Sequence, residues 1–364
     1  MKHVTVCITT INKPHFIEDL ILNANKYSYK DFNIIIIGDY KSPKNNHEYI
    51  NYIRKKLNAD IRYLTVKDQI LFLKKNKSLN KILPYNWGGR KMLANYISIL
   101  EKSPVTVQID DDNFILNNNF FHHHSEVGDI KQIPLFSSEK KWFNIYESLN
   151  ESKNLPVYPR GFLQKYRFKK NKIKKENKLI KIATCNGLVL NDPDIDAFTR
   201  LNWPIKITSV KKIYLPKFGL KPNTWCTWNN QNTSTYHEVT KIYFTPASVG
   251  RNSDIWTSMI ICKIASHLNE AVCFGQPLVR QDRNFHNIMR DYDDEKYCNI
   301  HNEDFEKILR SIKLEQNSYI YCLIELINKF LKHLRKKKNE EYYSFIKKYL
   351  NEYRIWAEII HSIK

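Results

Sequence analysis

The chain has 364 residues, 42 % hydrophobic and 13 % aromatic, with 58 Lys+Arg against 37 Asp+Glu and a formal net charge of +21. That apolar content excludes wholesale disorder and suffices for one large domain or two smaller ones. The charge points to polyanionic partners (nucleic acid, an anionic membrane, phosphorylated small molecules), and the seven scattered cysteines, none in a CxxC pair, argue against a disulfide framework or a zinc site and fit a reducing cytoplasm.

The start, "MKHVTVCITT", lacks the apolar region of a signal peptide, and the run "NIIIIG" (33–38) is too short to span a bilayer, so a soluble cytoplasmic protein without a transmembrane segment is expected. "VTVCITT" (4–10) reads as a buried strand, 15–27 as a helix, "FNIIIIGD" (32–39) as a second strand, 49–57 as a helix and 61–66 as a third strand. A helix over 89–100 follows Gly88-Gly89, and "VTVQID" (105–110) is a fourth strand. This alternation predicts an α/β domain with a mostly parallel sheet, whose ligands bind at the carboxyl ends of its strands. From 125 to 235 the pattern is irregular, and the basic run 165–182 reads as a solvated loop or ribbon. A helix over 253–268, with Ser253 as N-cap, and a strand over 270–275 follow, then helical periodicity over 304–364. The expected division is a catalytic domain over 1–303 and a helical extension over 304–364, whose apolar stripes serve core packing or oligomerisation, with peripheral membrane contact through its basic run second.

The chemistry concentrates at "VQIDDDNFIL" (107–116). Three adjacent carboxylates repel one another, but at a strand end two can converge on a cation, and oxygen-only ligation suits Mg2+ or Mn2+ shared with a diphosphate. The competing reading is a solvated acidic turn, against which the flanking apolar residues weigh. Asp39, ending the second strand, is either a nucleotide contact or an Asx-turn residue. Arg90 and Lys91 open a helix after two glycines and are either phosphate ligands or exposed first-turn residues. "FHHHS" (121–125) has no partner spacing and reads as solvated, near the site but outside it. No Gly-x-Gly-x-x-Gly motif marks a flavin or NAD site.

Together these features resemble the GT-A fold of nucleotide-sugar enzymes, and within it the reversibly glycosylated polypeptide family, the UDP-arabinopyranose mutases. The resemblance rests on Ile109 to Asp112 followed by Phe114, on "RGFLQKYR" with Arg160 and Arg167 seven apart, on "GLVLNDPDIDAFTRL" (187–201), and on Asp254-Ile255-Trp256 opening a late helix. It covers residues 4–300. The N-terminal third aligns only by pattern, "LVRQDRNFHN" (278–287) replaces the family's histidine-containing strand, and nothing after 300 has a counterpart.

The resemblance implies a metal-dependent, flavin-independent mutase that interconverts pyranose and furanose forms of a nucleotide-linked sugar for surface polysaccharide. It implies metal ligation by Asp110 and Asp112 and sugar or ribose contact by Asp111; His286, beside Arg283 and Asn284, is either a further metal ligand or a hydrogen-bonding loop residue. Arg160 falls at the family's glycosylated position. A guanidinium stays protonated, so Arg160 either traps the sugar or neutralises diphosphate, with Arg167 as a second cation. Asp194 and Asp196 alternate on an extended stretch and are sugar or acid–base candidates, or turn and capping residues. Asp254 is a candidate for a sugar hydroxyl, or a helix-dipole partner. Asn186 and Gly187, at the start of their segment, complete the nucleotide-sugar contacts with Asp39, Arg90 and Asp111. The competing activity is a GT-A glycosyltransferase that passes the sugar to an acceptor. A nucleic-acid partner is not expected, since the lysines are dispersed and no RRM, KH or zinc-finger motif appears.

Overall fold

The computed structural model describes residues 1–284, 287–335 and 340–363. Its strands are β1 (Val4–Thr10), β2 (Phe32–Gly38), β3 (Ile61–Leu64), β4 (Val105–Asp110), β5 (Asn113–Ile115), β6 (Ile130–Ser138), β7 (Leu149–Glu151), β8 (Ile173–Asn191), β9 (Ile207–Val210), β10 (Lys217–Leu220), β11 (Thr233–Tyr236) and β12 (Ala271–Gln281). Its helices are α1 (Phe16–Lys26), α2 (Asn46–Leu57), α3 (Val66–Leu73), α4 (Lys77–Ile82), α5 (Met92–Leu100), α6 (Phe120–Ser125), α7 (Ala197–Asn202), α8 (His237–Ile242), α9 (Ser253–His267), α10 (Ile288–Ser311), α11 (Tyr319–Leu334) and α12 (Glu340–His361).

The first four strands form a parallel block in the order β3-β2-β1-β4, with Val6 opposite both Ile34 and Val107. The isoleucines of β2 explain the block. Ile34 and Ile36 enter one core and Ile35 and Ile37 the other, because alternate side chains face opposite sides and helices cover both. The sheet continues antiparallel through β11 to β8. The N-terminal half of β8 pairs antiparallel with β6, and its C-terminal half runs parallel to β12; β10 joins β6 to β12 and closes a ring of four strands. The expected α/β architecture with a helical C-terminal region is present, with the parallel strands gathered mainly in the first half.

The later helices are built into this body. Trp256 of α9 stacks on Phe305 of α10 with ring centroids 4.3 Å apart, and Trp356 of α12 stacks on Phe244 at 4.8 Å. Trp356 Nε1 donates to the Lys241 carbonyl at 2.9 Å, and Thr257 Oγ1 to the Phe244 carbonyl at 2.6 Å. α11 and α12 thus spend their apolar stripes on the core that contains α9, and the division expected at 303/304 falls inside α10.

Several expectations change. Half of the basic run 165–182 belongs to β8, held by its ladder to β6. The histidine run forms α6 and lies largely inside: His124 is fully buried between Ser234 Oγ at 2.9 Å and Asn232 Oδ1 at 2.8 Å, and burial pushes its imidazole down to about 3. Asn252, not Ser253, occupies the N-cap of α9. α3 and α4 went unread between β3 and Gly88. The basic stretch at 336–339 lies outside the described residues, and among those described no helix is long and apolar enough to cross a membrane.

Candidate active site

A cavity of about 370 Å³ opens at the carboxyl ends of β1, β2 and β4, where the order reverses between β1 and β4. Six carboxylates line it (Asp39, Asp110, Asp111, Asp112, Asp194, Asp254), together with the cations Lys41, Lys91, Arg160, Arg251 and Arg283. Each parallel strand ends buried and hands the chain to a polar loop, which is why this end gathers charge.

The triplet splits by role. Asp111 is tied to the loop after β1: its carboxylate accepts from Thr10 Oγ1 at 2.8 Å, Asn12 Nδ2 at 3.2 Å and the Ile11 amide at 3.3 Å. Asp110 forms an ion pair with Lys91, whose ammonium is buried. Asp112 is buried and accepts from Asn113 Nδ2 at 3.0 Å, Gln281 Nε2 at 3.1 Å and the Asn284 amide at 3.3 Å. Burial, and then the Asp110 charge, push the Asp112 carboxyl above the ordinary range. Among the described residues no cluster of three or more His, Cys, Asp or Glu could hold a metal ion. His286 lies outside them. A pair of carboxylates in like-charge conflict, open to a cavity, fits a hard divalent cation that completes its shell with phosphates and water.

A second carboxylate pair sits on Arg160. The guanidinium Nε donates to both Asp194 oxygens at 3.0 and 3.1 Å, and Nη2 to Asp194 Oδ2 at 2.9 Å and Asp254 Oδ2 at 3.1 Å. Asn229 Nδ2 adds 2.9 Å to Asp194. The two acids then diverge. Burial opposes the charge on Asp194, but Arg160 outweighs it and holds that carboxyl well below the usual range. At Asp254 burial, with Asp194 and Asp110 beside it, outweighs Arg160 and raises the carboxyl. Burial also disfavours charge on Arg160, yet the two acids keep it more firmly protonated than a free guanidinium. Such a split sets a charge holder beside a proton acceptor.

Four lining residues carry buried polar atoms without a hydrogen-bond partner among the described residues: Trp87 Nε1, Arg160 Nη1, Gln231 Nε2 and Thr245 Oγ1. Gly88 borders open space, whereas a Cβ at Gly89 would stand 2.2 Å from Trp87 Nε1.

Some expected residues fall elsewhere. Arg90 is fully buried behind the wall, donating Nε to Gln69 Oε1 at 2.9 Å with its guanidinium 3.8 Å over the Tyr85 ring, so it faces away from the cavity that Lys91 enters. Arg167 pairs with Asp196 outside the lining, and Asp196 Oδ1 caps α7 by accepting from the Thr199 amide at 2.8 Å. The stretch 193–196 turns instead of extending, since the Ile195 amide returns to the Pro193 carbonyl at 3.0 Å, and this separates Asp196 from Asp194. Asn186 and Gly187 stand one layer back. Asn186 Nδ2 donates to Thr233 Oγ1 at 2.6 Å and the Gly187 amide to the Asn232 carbonyl at 2.9 Å, fixing the 229–232 loop whose Asn229, Asn230 and Gln231 line the cavity. Asp39 lines the cavity while its carboxylate accepts from the Tyr40 amide at 2.6 Å and the Asn86 amide at 2.8 Å, so turn and wall coincide. Trp87, Gln231, Thr245 and Arg251 were not read from the sequence. Only the polar run "NNQN" (229–232) after Trp228 hinted at any of them.

No family model and no curated protein matches the sequence. Solved structures similar to the chain include glucosyl-3-phosphoglycerate synthase from Mycobacterium tuberculosis in complex with phosphoglyceric acid, at 10 % identity over 83 % of this chain and 80 % of that one, TM-score 0.40. The same synthase in complex with Mn2+ and uridine-diphosphate-glucose is 10 % identical over 86 % and 80 %, TM-score 0.40. A mannosyltransferase from Pyrobaculum calidifontis in complex with GDP-Man and Mn2+ is 8 % identical over 99 % of this chain and 84 % of that one, TM-score 0.44.

Proposed function

We propose that the chain is a metal-dependent glycosyltransferase of the GT-A kind, moving a sugar from a nucleotide-diphosphate donor to an acceptor hydroxyl. The observation that carries this reading is the presence, in one cavity at the β1/β4 switch point, of the Asp110–Asp112 pair and of a separate buried carboxyl, Asp254, held by Arg160. Transfer by direct displacement, with inversion at the anomeric carbon, uses both: a site that neutralises the departing diphosphate and a base that takes the proton of the incoming hydroxyl.

Asp110 and Asp112 would hold Mn2+ or Mg2+, and when bound the ion neutralises charge on the leaving diphosphate. Lys91 supplies a fixed positive charge on the same side. Arg283, held by Asp192 at 3.1 Å, and Arg251, held by Glu295 at 3.1 Å, present further cations for phosphate. Asp39 and Trp87 wall the β2 side, where a base and ribose are accommodated. Asp254 accepts the hydroxyl proton, and its raised carboxyl makes it a stronger base than an ordinary aspartate. Arg160 positions Asp254 and keeps Asp194 charged.

The mutase reading has one observation in its favour: Arg160 and Asp194, from the two most specific segments of the resemblance, meet at the cavity. The firm protonation of Arg160 speaks for a charge partner and against a nucleophile. Purified protein with Mn2+ and a panel of nucleotide sugars, with and without glycan acceptors, separates the readings. Acceptor-dependent release of nucleoside diphosphate supports transfer. A furanose isomer formed without acceptor overturns it in favour of the mutase, and neither product overturns both.

A further inference from the structure

We propose that α3 and α4 form a docking surface for an anionic lipid bilayer. Gln69 and Leu73, four residues apart, form the inward side of α3. Ile70, Leu71 and Phe72, exposed to 54, 61 and 41 %, fan around the rest of the helix, Ile70 and Leu71 open to solvent and Phe72 partly so beside Tyr96, its ring centroid 6.3 Å away. Lys67, Lys74 and Lys75 surround them, and Lys77 and Lys81 continue the basic edge along α4. None of these five lysines has an ion-pair partner within 4.0 Å among the described residues. The one acid between 66 and 83, Asp68, is turned back to cap its own helix, accepting from Thr65 Oγ1 at 2.6 Å and the Thr65 amide at 2.9 Å.

An apolar ridge ringed by unpaired lysines complements an interface of acyl chains below anionic headgroups. A second protein copy of net charge +21 would repel this edge. The membrane reading moves from the C-terminal helices, whose stripes are spent in the core, to a surface the sequence pattern hid. The surface is also wired to the cavity. Gln69 Nε2 donates to the Gly38 carbonyl at 2.7 Å, next to Asp39, and the chain beyond α4, which ends at Ile82, leads directly to Asn86, Trp87 and Gly88 of the lining. Docking through α3 places the cavity beside the bilayer, where a lipid-anchored acceptor is presented.

The test is co-sedimentation of the full chain with vesicles of phosphatidylcholine alone and of phosphatidylcholine mixed with phosphatidylglycerol. The protein is expected to pellet with the mixed vesicles only, and to be released by high salt. Lys74→Gln/Lys75→Gln/Lys77→Gln lowers partitioning by at least about 10-fold. Leu71→Glu lowers it too, with the thermal midpoint and the oligomeric state by light scattering unchanged. Equal pelleting with both vesicle types, no pelleting with either, variants that pellet like the wild type, or a Leu71→Glu change that only splits a dimer each overturns the proposal. Turnover is not read, so the outcome is independent of the catalytic assignment.

Discussion

Arg160 and Asp194 form a forked ion pair, Nε to both carboxylate oxygens at 3.0 and 3.1 Å and Nη2 to one at 2.9 Å, with both side chains less than a tenth exposed. Removing the guanidinium leaves Asp194 and Asp254 buried without their directly bonded countercharge. Arg160→Gln is expected to lower stability by about 3–5 kcal/mol, read by denaturant unfolding. Because the Asp194 carboxyl is depressed, its contribution is present above the ordinary carboxylate value of about 3.9 and lost as pH falls below it. In Arg160→Gln that acid-limb loss disappears.

The raised carboxyl of Asp254 gives kcat/KM an acidic limb. Activity climbs as pH rises through a value above the ordinary aspartate pKa, because the base form is the deprotonated one. Asp254→Asn is expected to cost about 10²–10⁴-fold in kcat and to remove the limb, while donor binding, measured by calorimetry, holds.

Asp112 trades stability for function. Its carboxyl is raised in the folded state, so the metal-free protein loses stability as pH rises through that value. Asp112→Asn removes the loss and is expected to match or exceed the wild-type thermal midpoint at neutral pH without metal, while Mn2+ uptake in the presence of nucleoside diphosphate vanishes from calorimetry. A falling midpoint together with retained Mn2+ uptake contradicts the assignment.

Gly88 and Gly89 separate cleanly. Gly88→Ala meets nothing within 4 Å and leaves the thermal midpoint unchanged. Gly89→Ala drives a methyl group against Trp87 Nε1 and, at 2.8 Å, Thr245 Oγ1, costing about 1–3 kcal/mol and weakening nucleotide binding through the displaced indole.

The parallel block was legible because β1, β2 and β4 are buried on both faces and read as unbroken β-branched runs separated by amphipathic helices. Of the later strands only β12 was read, in its first half; β7, β9, β10 and β11 are only three or four residues long and pair with distant segments. α3 escaped because Ile70 to Phe72 put apolar residues outside and broke the helical period. Asp39, Asp110, Asp111, Asp112, Arg160, Asp194 and Asp254, all singled out in the sequence, line one cavity. Asp196 and Arg167 fall outside the lining, because a turn at Pro193 cancels the strand alternation, and so does Arg90, because successive residues of the 3-10 turn Gly88–Lys91 point about 120° apart, so only Lys91 reaches the opening. The residues missed altogether, Trp87, Gln231, Thr245 and Arg251, come from loops that only the assembled fold brings together.

The stacking of Trp356 on Phe244 has a consequence for the cavity. The stretch just beyond Phe244 carries Thr245, Arg251 and Asp254 to the cavity, and α12 pins it through Trp356 Nε1 to the Lys241 carbonyl and Tyr353 to the Ile242 carbonyl. Seating Asp254 at the cavity is therefore coupled to the docking of α12, through a contact that closes 115 residues of chain. Loss of α12 would leave the stretch from Lys241 to Asp254 unpinned and the Phe244 ring bare.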